Sequence, residues 1–596
     1  MRKALCALLV LLLIPAAGAP ALAQGTQGAV NEDQRPAAEV VNQALGDAVD
    51  ALVREGRAKG AVLSVVRDGS VVLCAGYGMA DEISGIAADA QKTAFRIGSI
   101  SKTFVAVAAQ LLAQQDRLDM DRDIAAYLEA DFPALDHPVT MGQLLTHTAG
   151  FEDRVTGIAV SNVSDTEPLA LSVRKYQPAQ VFLPGEVASY SNYGIALAAY
   201  VVQRIAGQDF AAFCRESIFV PLEMAHTTFE HMHDIAYVSK AYLPDGRETR
   251  EPYMNLYPEG SAVSTAEDMA GYIAWLLDGN DPRVLSAASK EALFARHFSM
   301  ASDMAGVGYT WNRKERNSNF YYDKKGETLH FYSRIALYPQ AGTGVFLSFN
   351  TYVPEDDINA VMGAATDLLY GASSKADAGQ GATDISGCYA NNWSSLRTPE
   401  RILRYLIPGK ILSVEGSPDE GFAMNGQPMA GIAGDKYASP IGVVRFVHKN
   451  GTVMLATESA VTFSRIPWWQ HSSLQALPAL LFVVLAIACL VREVFLRARR
   501  CKEARHSAVV LVGALAQLLA FAALCMLMIH GITAYSLLSW ALPLALCGWL
   551  IATATAAGML HTAYRWAKGV RPAPIPVAWN LAGALFCLWM FSMNLL

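Results

Sequence analysis

Hydrophobic positions along this chain change period three times. The apolar, β-branched runs 61–66 and 71–75 are separated by Arg67-Asp68-Gly69-Ser70, which predicts a strand hairpin. Helical periodicity follows over 102–115, 194–205 and 266–277, and strand-like runs return at 331–337 and 344–349. Strands at both ends of a helical middle predict a mixed α+β layer design. A stretch rich in Gly, Ala and Ser at 371–383 reads as a linker. Beyond it, 384–466 alternates short apolar runs with Gly, Pro and Asn turns such as Lys449-Asn450-Gly451, the pattern of a small β-rich domain whose sequence names no chemistry. From Leu474 onward the apolar runs lengthen. No Asp, Glu, Lys or Arg occurs in 474–491, 507–560 or 572–596, and spans are predicted near 474–491, 508–529, 536–557 and 577–594 within a membrane domain 474–596.

Composition agrees with that division. Only 17% of the 596 residues are charged, against about 25% in an ordinary soluble domain. After Leu474 there are nine basic and two acidic residues, so a chain of net charge −7 with two basic residues at its start carries −16 over 24–473. An acidic body of this size argues against a nucleic-acid partner. The basic residues of the tail cluster at 492–505 and 565–571, in the first and third connections. The positive-inside rule places those connections in the cytoplasm and everything before Leu474 on the periplasmic or extracellular side of the cell (inner) membrane, as a multi-pass protein. Residues 1–23 agree: Arg2-Lys3, an apolar run, then Ala21-Leu22-Ala23 form the three-part pattern of a cleaved secretory signal. Pro467-Trp468-Trp469 reads as an interfacial belt before the first span. Only Cys74, Cys214 and Cys388 lie in the exported part; no disulfide is predicted, and with no CxxC or HExxH no metal and no cofactor are expected.

Candidate chemistry begins at Phe95-Arg96-Ile97-Gly98-Ser99-Ile100-Ser101-Lys102. If a helix starts at or just before Ser99, the three-residue spacing puts Ser99 and Lys102 one turn apart on one face, where an amine can take the proton of a hydroxyl. Alone, this pattern equally describes an N-cap serine with a surface lysine. Tyr190-Ser191-Asn192, on a loop entering an apolar helix, adds a phenol that can shuttle protons and an amide that can bind both the lysine and a substrate carbonyl. Lys324-Lys325-Gly326, read as preceding the strand pair at 331–349, adds a cation for a substrate carboxylate, with backbone N–H groups from an edge strand after it. His147 reads as a hydrogen-bonded buried imidazole, Glu167-Pro168 as a surface turn, and Tyr321-Tyr322 as packing residues.

In this order the motifs resemble those of serine hydrolases related to class C β-lactamases and low-molecular-weight penicillin-binding peptidases: Ser-x-x-Lys (Ser99, Lys102), Tyr-x-Asn (Tyr190, Asn192), then Lys324-Lys325-Gly326. Leu144 to Gly150, Phe182-Leu183-Pro184-Gly185, Pro221-Leu222-Glu223-Met224 and Ser264 to Met269 are similar to family text, and the likeness runs from about Asn42 to Tyr370. The resemblance implies a β-lactamase/transpeptidase-like α+β domain over 24–370, an antiparallel sheet with a helical part. It implies Ser99 as nucleophile, Lys102 and Tyr190 as general base and acid, and Asn192, Lys324 and Gly326 as substrate-binding residues. The oxyanion would sit between the backbone N–H groups of Ser99 and Glu327. Lys325 stands where the family usually has Thr, and His330-Phe331 follows where Gly-Phe is usual; both departures bear on specificity more than on chemistry.

The function so implied is a membrane-anchored exported peptidase or amidase that forms an acyl-enzyme on D-amino-acid-containing peptides, as a D-Ala-D-Ala carboxypeptidase does. Its expected partners are a small peptide or acyl-peptide substrate and the lipid bilayer. The layout is also similar to membrane-bound peptidases that mature nonribosomal peptide prodrugs by removing an N-acyl-D-asparagine leader, the colibactin-activating one among them. A β-lactamase and a non-catalytic penicillin-binding-like sensor are the remaining alternatives.

Overall fold

The computed structural model describes residues 36–230, 237–372, 384–433, 435–449, 451–499, 508–570 and 573–595. The predicted signal peptide and most of the predicted linker lie outside the described residues.

Helix α1 (Ala38–Arg54) leads into β1 (Gly60–Arg67) and β2 (Ser70–Asp81), with the tight turn at Asp68 and Gly69, both at positive φ. A short β3 (Ile86–Ala87) ends this run. The helical part follows, with α2 (Ser101–Gln114), α3 (Asn192–Ala206) and α4 (Ala266–Leu277). The chain then returns to the sheet as β4 (Asn312–Arg316), β5 (Asn319–Glu327), β6 (Tyr332–Tyr338) and β7 (Thr343–Phe349), and closes with α5 (Glu355–Tyr370). The sheet runs β4-β5-β6-β7-β1-β2-β3 with antiparallel pairings throughout. First and last strands meet because β1 and β7 are apolar on both faces and can be covered on both. Val62, Val66, Ile335 and Phe346 face α2, α3 and α4, while Ala61, Leu63, Val65 and Leu347 face α1 and α5, the period of two turning alternate residues to opposite layers.

Lys324-Lys325-Gly326 precedes the strand pair β6 and β7, as read, but is not a loop: it lies inside a strand of its own, β5, next to the edge. The alternation of Tyr321-Tyr322-Asp323-Lys324-Lys325 is too polar to read as a buried strand. It is a half-buried strand, in which Lys314 and Asn312 on β4 satisfy Asp323 (2.5 and 2.9 Å). The edge expectation survives locally: β4 pairs with 319–323 only, so 324–327 have no strand on that side.

Residues 387–466 form a nine-stranded antiparallel sheet. Its first strand, Gly387–Asn391, pairs with both Ile411–Ser417 and the last strand, Thr462–Ile466, so two meanders flank it. Its core is Tyr389, Leu412, Met424, Val444, Phe446, Leu455 and Phe463. Four helices then follow that are long and apolar enough to cross a membrane: Ser472–Ala498, Val510–Thr533, Ala541–Ala567 and Pro574–Ser592. Ile402 of the β-rich region joins the core of this helical group, beside Ile532 and Leu537.

Candidate active site

Ser99 sits in a single 3-10 turn, Gly98–Ile100, which runs directly into α2. Gly98 is required there: its φ is +51°, and a Cβ would come within 2.5 Å of Glu327 N. Gly326 answers from the strand, where a Cβ would meet Ile97 O at 1.9 Å. The turn carrying Ser99 therefore rests directly on β5, backbone against backbone. Gly326 serves this approach, while Lys324 and Glu327 on either side of it line the cavity.

The helix carries Lys102 one turn below Ser99, fully buried. Lys102 Nζ donates to Ser99 Oγ (2.8 Å), to Glu259 O (2.5 Å) and to Glu259 Oε2 (2.7 Å). Burial opposes its charge, but the Glu259 carboxylate and the Tyr190 hydroxyl hold its pKa above the ordinary lysine value. Tyr190 lies just before α3, whose first turn is capped by Ser191 Oγ accepting from Gly194 N–H (3.0 Å). The Tyr190 hydroxyl donates to Ser99 Oγ (2.9 Å). Burial pushes this phenol up, against the pull of Lys102. The ring is held from both sides: His147 stacks on it at 4.2 Å between centroids, and Trp393 of the β-rich region packs at 4.9 Å. His147 is the buried imidazole expected; it sits at φ +59° and its Nδ1 accepts from Ser191 N–H (3.1 Å). Burial and the nearby Lys324 and Lys102 push its pKa well down, so it is a neutral platform.

Lys324 Nζ lies 5.3 Å from the Tyr190 ring centroid. Burial and the charge on Lys102 push its pKa down to about 7. Lys325 is drawn away to Glu355 at the start of α5, and Arg334 bridges Glu355 and Glu327 at 2.9 Å each. Asn192 lines the cavity, but its buried Oδ1 has no hydrogen-bond partner, and the amide expected beside Lys102 is replaced there by Glu259. These side chains open on one cavity of about 540 Å³. It is lined by Ser99, Tyr190, Lys324 and Glu259, by Trp393, Leu403, Leu406 and Ile407 of the β-rich region, by Ile532 in the last turn of the second long apolar helix and by Tyr535 in the connection after it. Among the described residues no group of His, Cys, Asp and Glu is arranged to hold a metal.

The β-rich region is docked, not tethered. Ser189 Oγ donates to Asn392 O (3.0 Å), Thr462 Oγ1 to Ala188 O (2.7 Å), and the Glu400 carboxylate accepts from Val155 and Thr156 N–H (2.9 and 2.7 Å). On the membrane side, Tyr535 O accepts from Gly157 N–H (3.0 Å). Sequence reasoning missed three neighbours of the motif residues: Glu259, Trp393 and Tyr535. Glu259 was findable only as a carboxylate just ahead of the family-like Ser264–Met269 text; nothing in spacing links it to Lys102, 157 positions away. Glu167 does not form the surface turn expected: it is half-buried, directly precedes the cap of the helix Leu169–Lys175 and pairs with Lys175 at 2.5 Å.

The putative penicillin-binding protein PbpX of Bacillus subtilis (strain 168) is 28% identical over 251 residues, 41% of this chain and 60% of its own. Protein flp of Staphylococcus aureus (strain N315) is 26% identical over 323 residues, 51% of this chain and 62% of its own. The chain thus spans about three fifths of the length of these curated relatives. The crystal structure of SurE is similar with a TM-score of 0.52 at 20% identity, over 72% of this chain and 100% of that one, a likeness of fold. The beta-lactamase family model matches residues 45–365, which hold Ser99, Lys102, Tyr190 and Lys324. Matched over more than half its length, the chain belongs to the beta-lactamase family.

Proposed function

We propose that the protein is a membrane-anchored serine peptidase or amidase that acts through an acyl-enzyme on D-amino-acid-containing peptides. The observation that carries this reading is the placement of Ser99 Oγ between Lys102 Nζ at 2.8 Å and the Tyr190 hydroxyl at 2.9 Å, in the lining of a cavity. Ser99 attacks the scissile carbonyl, and the Lys102–Tyr190 pair takes its proton and returns one to the leaving amine. Ser99 and Glu327 offer backbone N–H groups to the oxyanion, and their elements touch through Gly98. Lys324 holds the substrate carboxylate, and Asn192, with an unpartnered Oδ1, accepts from a substrate amide. Water then releases the acyl group. The acidic body faces the periplasm or the outside, consistent with the basic first and third connections of the tail.

A second reading, removal of an N-acyl-D-amino-acid leader from a nonribosomal peptide prodrug, draws on a specific observation. The cavity wall formed by Leu403, Leu406, Ile407 and Ile532 is apolar and continues into the membrane helices, which suits an acyl chain.

Intact-mass measurement after exposure to a fluorophosphonate and to a β-lactam tests the chemistry. We expect one adduct on the wild type and none on Ser99→Ala; an unlabelled wild type overturns the reading and leaves a binding protein. The adduct's lifetime in water then separates a peptidase from a β-lactamase. Cleavage of D-Ala-D-Ala peptides but not of acyl-D-Asn amides favours the first substrate class, and the reverse pattern the second.

A further inference from the structure

Lys102 has all three of its N–H bonds committed. Its acceptors are Ser99 Oγ at 2.8 Å, Glu259 O at 2.5 Å and Glu259 Oε2 at 2.7 Å. An amine in that arrangement is an ammonium with no lone pair for a further proton. Its carboxylate partner is 4% exposed, and burying such a pair is costly unless the geometry is good and both ions are used. A simple counterion role is a poor explanation, because it would hold the lysine in the form that cannot act as a base. Asn192, the residue expected to steady the lysine, makes no bond to it and leaves its own Oδ1 unpartnered.

We propose that Glu259 is the terminal proton acceptor of the acylation step, working through Lys102. Lys102 Nζ first hands a proton to Glu259 Oε2, which frees its lone pair; within the same step, as Ser99 Oγ bonds to the carbonyl carbon, the O–H bond breaks and its proton passes to that lone pair. The carbonyl π pair becomes the oxyanion. The charge that Glu259 gives up is the charge the oxyanion gains, and Lys102 is left cationic between them. On collapse the C–N bond breaks, the departing nitrogen takes the Tyr190 proton, and Glu259 restores it through Lys102. Glu259 is thus a positioning and relay residue that acts through Lys102. The inference rests on the acyl-enzyme reading above and adds to it where the proton goes.

The groups that face Glu259 are Lys102 on α2, Tyr190 before α3, Lys324 on β5 and Arg96 ahead of the Ser99 turn, with Glu251 beyond Arg96. Removing the carboxylate leaves Lys102 buried beside Lys324, where desolvation and like charge favour the neutral amine. Base catalysis then depends on Lys102 itself losing a proton. The sign follows: in Glu259→Gln the acidic limb of the acylation rate moves to higher pH.

The test is single-turnover phosphonylation of Ser99 in the full-length protein by an uncharged fluorophosphonate across pH 5–10, which needs the same deprotonation of Oγ, releases fluoride, and gives Lys324 no carboxylate to bind. We expect Glu259→Gln to be slowed roughly 100-fold near neutrality, to recover toward wild type at high pH, and Glu259→Asp to keep the wild-type limb. A Glu259→Gln profile of unchanged shape, at any height, overturns the proposal and makes Glu259 structural. A proton inventory on the wild type requires no variant to fold: two protons in flight support the relay, and one overturns it. Labelling lost in Ser99→Ala but kept in wild type shows that the acyl-enzyme reading stands whichever way Glu259 falls.

Discussion

Lys324 is a cation poised to discharge in the physiological range. Burial first, then the charge on Lys102, bring its pKa down to about 7, so its charged form is full below that pH and is lost as pH rises through it. If Lys324 binds the substrate carboxylate, KM for anionic peptides should climb about tenfold per unit above pH 7 while KM for uncharged esters stays flat. Steady-state kinetics on a matched pair of substrates checks this; Lys324→Gln should raise the anionic KM at pH 6 and remove its pH dependence. That a lysine belongs here was legible from the motif. That it would be the weakly charged one was not, since this follows from Lys102 approaching from a segment more than two hundred positions earlier.

Elements formed largely where periodicity predicted them. The hairpin, the helices Ser101–Gln114, Asn192–Ala206 and Ala266–Leu277, and the strands Tyr332–Tyr338 and Thr343–Phe349 differ from expectation by few residues. β5 was missed because its polar residues are satisfied by partners on β4 and α5 that no local pattern reveals. Its contact with the Ser99 turn leaves no room for a Cβ at Gly326. Gly326→Ala must open it, since the new Cβ would sit 1.9 Å from Ile97 O. We expect a stability loss of about 1–3 kcal/mol from overpacking, read by denaturant midpoint, and a larger proportional loss of acylation rate, because the shift moves Ser99 away from the strand that offers the Glu327 N–H.

At the scale of the whole molecule, the site is built by segments outside the family-matched region as well as inside it. Trp393 packs on Tyr190 from the β-rich region, and the cavity is also lined by Ile532, at the end of the second long apolar helix, and by Tyr535 in the connection after it. The prediction is selective. Tyr535→Ala in the full-length protein should raise KM for long-chain acyl peptides by roughly 10-fold or more, about the worth of a buried aromatic contact, and leave short esters within about twofold. Equal effects on both substrates would mean that the membrane segment only holds the hydrolase part in place.

Local pattern along the chain sets its regimes and the order of its motifs: a mixed α+β part, a β-rich part, four apolar segments, and Ser99, Lys102, Tyr190 and Lys324 in a recognisable succession. These are local properties, since the period of apolar residues states which face is to be buried and the spacing Ser-x-x-Lys places two groups on one helical face. What covers that face is not local. Tertiary structure alone decided that Glu259, not Asn192, meets Lys102, that β5 and the Ser99 turn touch at two glycines, and that Trp393 and Tyr535 close the cavity. Such meetings depend on how layers pack and on which distant polar groups satisfy one another after burial, and a buried charge finds its partner only when the whole fold has formed.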